Sequence, residues 1–315
     1  MSPIVYNLEP FGYSQKAVEI WQSKAYYYVE GSLSKLAEFR DLEKIEILIV
    51  RLKHYIDSSL IDHLPNLKAV ITATTGLDHI DENSLEQRKI ELVSLRPHKY
   101  FLDTIPSTAE HTWGLLMSLI RNIPAANNDV SKGNWERDNY RGYQLKDKAL
   151  GIIGLGRTGE KVAQYAEVFG MRVVFYDPYV ENNEYMKAST LDELARISDI
   201  VSIHVHLLPN TINLINDSFI ESCKEGVYII NTSRGKICDE SALVNGLKSK
   251  KVKGIATDVL VAELTSITNS ELWQAQRKGE NIIITPHIGG ATWDAMWNCE
   301  EFIATNYIER YVVSR

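Results

Sequence analysis

The feature that most constrains the fold is the alternation of short, almost continuous apolar runs with segments of helical periodicity. The apolar runs occupy residues 3–8, 25–31, 45–52, 68–76, 90–95, 148–156, 171–177, 199–206, 227–233, 253–259 and 281–287. Strands that are apolar on both faces and separated by helices are typical of a parallel sheet covered on both sides. The chain is therefore expected to form two doubly wound (Rossmann/flavodoxin-like) parallel-sheet α/β domains with a cleft between them.

A glycine-rich segment opens the second set of strands. The stretch GIIGLGRTGEKVAQYAEVFG (151–170) places Gly154, Gly156 and Gly159 in the spacing G-x-G-x-x-G between a predicted strand and a predicted helix. Glycines in this context permit a tight turn, the close approach of a pyrophosphate and close packing of helix on strand. Asp177 ends the next strand and can accept hydrogen bonds from both ribose hydroxyls, which favours NAD over NADP. The segment therefore predicts a site for NAD.

Two helices set the domain boundaries. Residues 107–123 have apolar residues at helical spacing, and Ser107 with Glu110 forms a capping-box pattern that predicts the start of a helix. Residues 293–312 predict an amphipathic helix that returns to the first domain. We predict a substrate domain from residues 1–101 plus 288–315 and an NAD-binding domain from residues 102–287.

Polar side chains follow three later strands, where a bound nicotinamide would lie. They include Arg234, Glu263 and His287. Arginine can bind a carboxylate in a bidentate fork, histidine can give a proton to a forming alkoxide, and a nearby carboxylate keeps that histidine protonated. These three residues are the candidate catalytic residues for hydride transfer to a 2-keto acid. Each type more often has a structural role when it occurs alone, so the hypothesis depends on their joint occurrence.

Residues 45–312 resemble the D-isomer-specific 2-hydroxyacid dehydrogenase family, and in particular its branch of 3-phosphoglycerate dehydrogenases and hydroxypyruvate/glyoxylate reductases. The resemblance is carried by LGIIGLGRTGEKVAQYAEVFGMRVVFYDPY (150–179), NTSRGKICDESALVNGLKSKKVKGIATDV (231–259) and ITPHIGGAT (284–292). It implies an NAD-dependent enzyme that moves a hydride between nicotinamide and a small (2R)-2-hydroxy acid or 2-keto acid, which in this branch includes phosphorylated acids. It also implies that Arg234, Glu263 and His287 are catalytic.

The resemblance further implies binding residues. Thr75 and Gly76 would bind the substrate carboxylate through backbone N–H groups, and Asp258 would hold the nicotinamide carboxamide. Arg51 and Lys53 would supply cations for a distal phosphate, with a solvated basic strand end as the alternative. The other implied cofactor contacts are Arg157, Thr158, Val205, Thr232, Ser233, Gly289 and Gly290.

Composition and sequence pattern disfavour several classes of partner. A net charge of −7 without a long basic run disfavours nucleic acid, and no membrane span, signal peptide or metal site is expected. Three widely spaced cysteines fit a cytoplasmic location. Residues 107–123 and 127–147 resemble the family's dimerisation arm and imply a homodimer with Trp135, Tyr140 and Tyr143 at its interface. The alternative is that these three rings cover their own domain.

The sequence also departs from the family pattern. Leu264 follows Glu263 where the family often has proline, and segment 96–111 is longer than expected, which makes it a candidate for substrate specificity. The chain ends after the returning helix, so no C-terminal regulatory domain is expected. Two alternatives stay open at this point: a non-catalytic NAD(H)-sensing corepressor-like protein, and a formate- or phosphite-oxidising relative.

Overall fold

The computed structural model describes residues 2–24, 26–181 and 184–312. Its strands are β1 (Ile4–Asn7), β2 (Tyr27–Glu30), β3 (Ile45–Val50), β4 (Ala69–Thr72), β5 (Glu91–Ser94), β6 (Ala149–Ile153), β7 (Arg172–Tyr176), β8 (Met186–Lys187), β9 (Ile200–Ile203), β10 (Val227–Asn231), β11 (Val252–Thr257) and β12 (Ile282–Ile284). Its helices are α1 (Gln15–Gln22), α2 (Leu33–Ala37), α3 (Ser58–Asp62), α4 (Glu82–Gln87), α5 (Lys99–Leu102), α6 (Ser107–Ile120), α7 (Ile123–Val130), α8 (Arg157–Val168), α9 (Leu191–Ile197), α10 (Asp217–Ser222), α11 (Glu240–Lys248), α12 (Glu271–Arg277) and α13 (Trp293–Val312).

Contacts divide the chain into two units. The first unit runs up to Ile105 and resumes at Ala291, and the second unit is Pro106–Gly290. The sequence predicted the two crossings at 101/102 and 287/288. The role of the first unit in substrate binding stays a prediction.

The first unit is built on a parallel sheet with the strand order β2-β1-β3-β4-β5. The central strand β3 reads IEILIV, and five of its six residues are buried. Because helices cover both faces of such a sheet, its central strands need apolar side chains on both sides. One apolar cluster includes Leu48 and Val70, and the cluster on the other side joins Ile47 and Ile71 to side chains of α1 and α13.

The second unit contains a seven-stranded parallel sheet with the order β12-β11-β10-β9-β6-β7-β8. The strand order reverses between β6 and β9, and ligands of open α/β sheets bind at the carboxyl ends of the strands beside such a reversal. The two sheets confirm the prediction of two parallel-sheet α/β domains. Strand β8 was not predicted, because two residues are too few to form a recognisable apolar run.

The connection between the units differs from the sequence interpretation. The predicted helix 107–123 ends at Ile120, and Asn122 adopts a left-handed conformation, with φ of 53°, before α7 begins. The predicted capping box is not formed, because Pro106 precedes the first turn and Ser107 is already helical. The longer preceding segment contains the short helix α5, whose Phe101 stacks on Phe302 of α13 with ring centroids 3.9 Å apart.

A buried ion pair links β3 to α13 within the first unit. The Arg51 guanidinium donates to Glu300 and to the Phe11 carbonyl oxygen, the latter at 2.8 Å, and the Ser14 N–H donates to Glu300 at 2.8 Å. The Glu300 side chain is only 2% exposed. Burial raises the pKa of Glu300, although Arg51 and the Ser14 N–H act against this rise. Arg51 therefore has a structural partner, whereas Lys53 is exposed.

Arg51→Ala should destabilise the first unit by about 3 kcal/mol near neutral pH, because it leaves a buried carboxylate without its cation. Without Arg51, the pKa of Glu300 in the folded variant should rise further. The loss of stability should therefore grow as the pH increases above about 4.3, the pKa of a glutamate in the unfolded chain. Thermal unfolding measured at pH 5 and pH 8 tests this. Lys53→Ala is the control, and an equal Tm decrease in both variants would contradict the assignment.

Candidate active site

The glycine-rich turn between β6 and α8 has the shape that a dinucleotide requires. Gly154 has a φ of +89°, and a Cβ built on it would lie 2.7 Å from the His204 carbonyl oxygen, so only glycine fits. Gly156 is the N-cap of α8 without a capping side chain, and a Cβ on it would meet nothing within 4 Å. An uncapped helix N-terminus beside open space fits a pyrophosphate group. Arg157, Thr158 and Gly159 form the first turn of α8.

Asp177 lies beside this turn at the end of β7. Its carboxylate accepts hydrogen bonds from the Leu155 N–H at 3.1 Å and from the Tyr179 N–H at 2.9 Å. A carboxylate has about four acceptor positions, so Asp177 retains capacity for the two hydroxyls of a ribose. The glycine-rich turn and Asp177 are therefore suited to bind the pyrophosphate and the ribose of NAD.

Asp177→Asn should reduce the preference for NAD over NADP about tenfold or more, because it removes a charged acceptor and its repulsion of a 2′-phosphate. Affinities for NADH and NADPH measured by titration of protein fluorescence test this expectation. The control is Asp192→Asn, a change at an exposed acid in α9. An unchanged ratio of the two affinities would remove Asp177 from ribose recognition.

The turns after β9 and β10 adjoin the glycine-rich turn. Val205 follows β9, and its Cγ1 would lie 2.8 Å from a Cβ on Gly154. After β10, the Ser233 hydroxyl donates to the Ile203 carbonyl oxygen at 2.6 Å, and the Thr232 hydroxyl lies 2.7 Å from that of Thr112 in α6. Hydrogen bonds thus fix the position of this segment within the second unit.

His287 and Glu263 are brought into contact. The His287 Nδ1 lies 3.3 Å from Glu263 Oε1, and the two side chains are 24% and 25% exposed. His287 has a φ of +54°, a left-handed conformation that is uncommon for residues other than glycine, although histidine adopts it more often than most. Its N–H donates to the Asp258 carbonyl oxygen at 2.9 Å, which helps to hold this unfavourable conformation.

Arg234 follows β10, the strand next to β11, and its Nη1 donates to the Ser233 carbonyl oxygen at 2.8 Å. The next residue, Gly235, brings this segment against the segment that carries Glu263. A Cβ on Gly235 would lie 2.2 Å from the carbonyl carbon of Leu260, which is incompatible with any larger residue. The absence of a side chain therefore lets the two segments approach closely.

Asp258 is the centre of a buried hydrogen-bond network. Its carboxylate accepts from the Thr285 hydroxyl at 2.6 Å and from the N–H groups of Ile288 and Gly289 at 2.9 and 2.7 Å. His111 Nε2 lies 3.2 Å away. Burial alone would raise the pKa of Asp258, but the hydrogen bonds from these four residues outweigh it and lower that pKa. Asp258 is therefore ionised and holds the turn that carries His287.

Glu240 holds the segment that carries Glu263. It is 8% exposed, and its carboxylate accepts from the Val261 N–H at 3.0 Å and from the Ser270 hydroxyl at 2.7 Å. The sequence did not identify Glu240, His111 or Thr285, because acids, histidines and threonines in helices and turns are common. Their roles become visible only from hydrogen bonds to residues that are far away in the sequence.

The remaining predicted site residues belong to the first unit. Thr75 and Gly76 follow β4, and the Thr74 hydroxyl donates to the Gly76 carbonyl oxygen at 2.9 Å. Arg51 and Lys53 follow β3, the strand next to β4, and the N–H groups of both donate to the Glu9 carboxylate. Their roles toward a substrate stay predictions.

Three further properties of the described residues bear on function. In residues 2–24, 26–181 and 184–312, no helix is both long and apolar enough to cross a membrane. The same ranges contain no group of three or more histidine, cysteine or acidic side chains suited to a metal ion. Cys223 and Cys238 are buried, and burial raises the pKa of each thiol to about 12, so both stay protonated.

Known proteins resemble the chain over most of its length. The sequence model described as "D-isomer specific 2-hydroxyacid dehydrogenase, NAD binding domain" matches residues 113–289. The chain belongs to the D-isomer specific 2-hydroxyacid dehydrogenase family. The matched residues lie within the second unit, so that unit contains the family's NAD-binding domain. The resemblance drawn from the sequence segments is confirmed.

Relatives in the family include D-3-phosphoglycerate dehydrogenases. That of Archaeoglobus fulgidus is 36% identical over 284 residues, which are 89% of this chain and 52% of the relative. That of Haemophilus influenzae is 34% identical over 272 residues, 85% of this chain and 64% of the relative. The chain therefore spans about half the length of the first of these relatives.

Solved structures of the family are similar over nearly the whole chain. The D-lactate dehydrogenase of Aquifex aeolicus, complexed with NAD and lactic acid, has a TM-score of 0.78 and 28% identity, with coverage of 99% of this chain and 96% of that one. The NAD-dependent formate dehydrogenase of Staphylococcus aureus, in complex with NAD, has a TM-score of 0.81 and 26% identity, with coverage of 98% and 95%.

Proposed function

We propose that the chain catalyses the reversible, NAD-linked interconversion of a small (2R)-2-hydroxy acid and its 2-keto acid. The contact between His287 Nδ1 and Glu263 Oε1, at 3.3 Å, is the observation that carries this proposal. An imidazole whose one nitrogen is oriented by a carboxylate can present its other nitrogen to a substrate oxygen as a proton donor. Arg234 follows a neighbouring strand and supplies a cation for the substrate carboxylate.

The proposed reaction assigns one task to each side chain. When NADH is bound, it supplies the hydride that reduces the substrate C2. Arg234 binds the carboxylate and polarises the ketone. His287 directs Nδ1 to Glu263, so its Nε2 gives the proton to the oxygen that becomes the hydroxyl. In the reverse direction Nε2 takes that proton back, while Glu263 stabilises the positive ring.

The proposal also concerns the group at the end of the substrate that is distal to the reacting carbon, which is either phosphorylated or not. Similarity to D-3-phosphoglycerate dehydrogenases supports a 3-phosphorylated acid. Hydroxypyruvate and glyoxylate are the unphosphorylated candidates. Lys53 is exposed, whereas the guanidinium of Arg51 is bound to Glu300. Lys53 is therefore the better position at which to test phosphate recognition.

A substrate panel tests the proposal. NADH oxidation is followed with glyoxylate, hydroxypyruvate and 3-phosphohydroxypyruvate, and turnover of at least one is expected in the unmodified protein and not in His287→Ala. For a phosphorylated substrate, Lys53→Ala should raise KM for that acid and leave KM for glyoxylate unchanged. NADH binding without turnover of any of these acids or of pyruvate would contradict the proposal and favour a cofactor-sensing protein.

We also propose that the chain forms a homodimer in the cytoplasm. Trp135 is 82% exposed, and Ile123 and Val130 of α7 are 50% and 49% exposed, which supports an apolar interface in this region. Tyr143 instead accepts a hydrogen bond from Lys253 of its own chain. Three buried thiols support a reducing compartment. Sedimentation velocity at micromolar concentration measures the oligomeric state, and a monomer would contradict the proposal.

A further inference from the structure

His111 lies in α6 of the second unit and contacts the turn that carries His287. Its Nε2 is 3.0 Å from the Thr285 hydroxyl oxygen and 3.2 Å from Asp258 Oδ1. The side chain is 20% exposed. Neither the substrate nor the cofactor chemistry assigned above uses this histidine.

The positions of the protons follow from the hydrogen bonds. Asp258 is ionised and can only accept. The Thr285 hydroxyl has one proton and donates it to Asp258 at 2.6 Å, so toward His111 its oxygen can only accept. Both partners of His111 Nε2 are therefore acceptors, and Nε2 must carry a proton. His111 thus donates one shared hydrogen bond to Thr285 and Asp258.

His111 differs from the other donors to Asp258. Those donors, Thr285, Ile288 and Gly289, belong to the turn itself and would move with it. His111 instead belongs to α6, whose neighbouring side chains Leu115, Leu116 and Leu119 are buried in the core of the unit. It is the connection through which the carboxylate is fixed to a packed helix.

Fixing this carboxylate also fixes the backbone of His287. The carbonyl oxygen of Asp258 accepts from the His287 N–H, and its carboxylate accepts from the next two N–H groups. His287 is held at a φ of +54°, a conformation that costs energy and persists only where the surroundings enforce it. A small rotation of the Asp258 side chain would therefore change the direction of the imidazole.

We propose that His111 is a positioning residue that fixes the turn Thr285–Gly290, and with it His287, by its shared hydrogen bond to Thr285 and Asp258. The effect on catalysis rests on the proposed function. The effect on the turn does not, because it concerns contacts within the protein alone.

The experiment compares His111→Leu with His111→Gln. Leucine removes the hydrogen bond, whereas glutamine keeps an N–H donor at a similar distance from the backbone. In the apoprotein, the amides of Ile288 and Gly289 should exchange with solvent about tenfold faster in His111→Leu, because the loss of a hydrogen bond to a charged acceptor makes opening easier. His111→Gln should restore most of the protection. The control is Glu110→Gln, at the exposed neighbouring position of α6.

Kinetics give a second readout. His111→Leu should lower kcat between about tenfold and a hundredfold through misdirection of His287, and His111→Gln should recover most of it. Combining His111→Leu with Thr285→Val should lower kcat by less than the product of the two single effects, since both changes act on one network.

Three results would overturn the proposal. One is unchanged exchange of both amides in His111→Leu. Another is an equal increase of exchange in the leucine and glutamine variants, which would mean that shape and not the hydrogen bond matters. The third is faster exchange in His111→Leu without any decrease of kcat in a protein that turns over a keto acid. If no acid is turned over at all, the proposed function fails, and the exchange data alone still decide the role of His111 in the turn.

Discussion

His287→Ala is expected to lower kcat about a hundredfold or more while NADH affinity stays unchanged. The reason is that the variant loses the proton donor for the alkoxide but none of the groups around the glycine-rich turn. The contact of the imidazole with Glu263, at 3.3 Å, is the structural basis for this expectation. Steady-state kinetics with a keto acid, together with an NADH titration, separate the two effects.

His63→Ala is the matched control, since His63 is an exposed histidine of the first unit. It should leave both kcat and NADH affinity unchanged. If His287→Ala keeps nearly full turnover, His287 is not the acid and base of the reaction. If it loses NADH affinity as well as turnover, the turn has been disrupted, and His287→Gln would then be the more informative change.

Arg234→Gln should lower kcat/KM for the keto acid by about a hundredfold to a thousandfold, because the substrate carboxylate loses its charged, bidentate partner. Arg234→Lys should recover only part of the loss, since an ammonium keeps the charge without the planar fork. Added guanidinium ion should partly restore activity to Arg234→Gln. These changes are measured from initial rates at subsaturating keto acid with NADH in excess.

The control for Arg234 is Arg196→Gln, a change at an exposed arginine in α9 of the same unit. It should not change kcat/KM. An equal decrease for Arg196→Gln and Arg234→Gln would indicate a general electrostatic effect on the approach of an anion. Retention of kcat/KM in Arg234→Gln would mean that another cation binds the carboxylate.

The sequence was sufficient to predict the fold, and it supplied the main candidates for the site, because the signals of both are local. Apolar runs predict buried parallel strands, and the spacing of Gly154, Gly156 and Gly159 predicts the turn at the end of β6. Predicted strands extended one to several residues too far, as in 68–76 against the observed Ala69–Thr72. The residues that follow β4, Ala73 to Gly76, are partly buried and small or β-branched, so the sequence pattern does not mark where the strand ends.

The supporting network around His287 could not be predicted, because its contacts join residues that are far apart in the chain. Asp258 was expected only to touch the cofactor, yet it receives four hydrogen bonds from the protein. Arg51 was expected at a phosphate, which stays a prediction, and the ion pair of its guanidinium with Glu300 of α13 was not foreseen. In both cases a charged side chain is bound by buried groups that are distant in the chain, and no local sequence pattern predicts such contacts.

The close approach of Gly235 to the Leu260 backbone has a practical consequence for protein engineering. The main chains of these two segments touch without intervening side chains, so neither can shift independently of the other. Chimeras that take one segment from this chain and the other from a homologue would combine mismatched surfaces. Transfer of residues 231–240 together with 258–272 keeps the matched pair, and with it the anchoring of the second segment by Glu240.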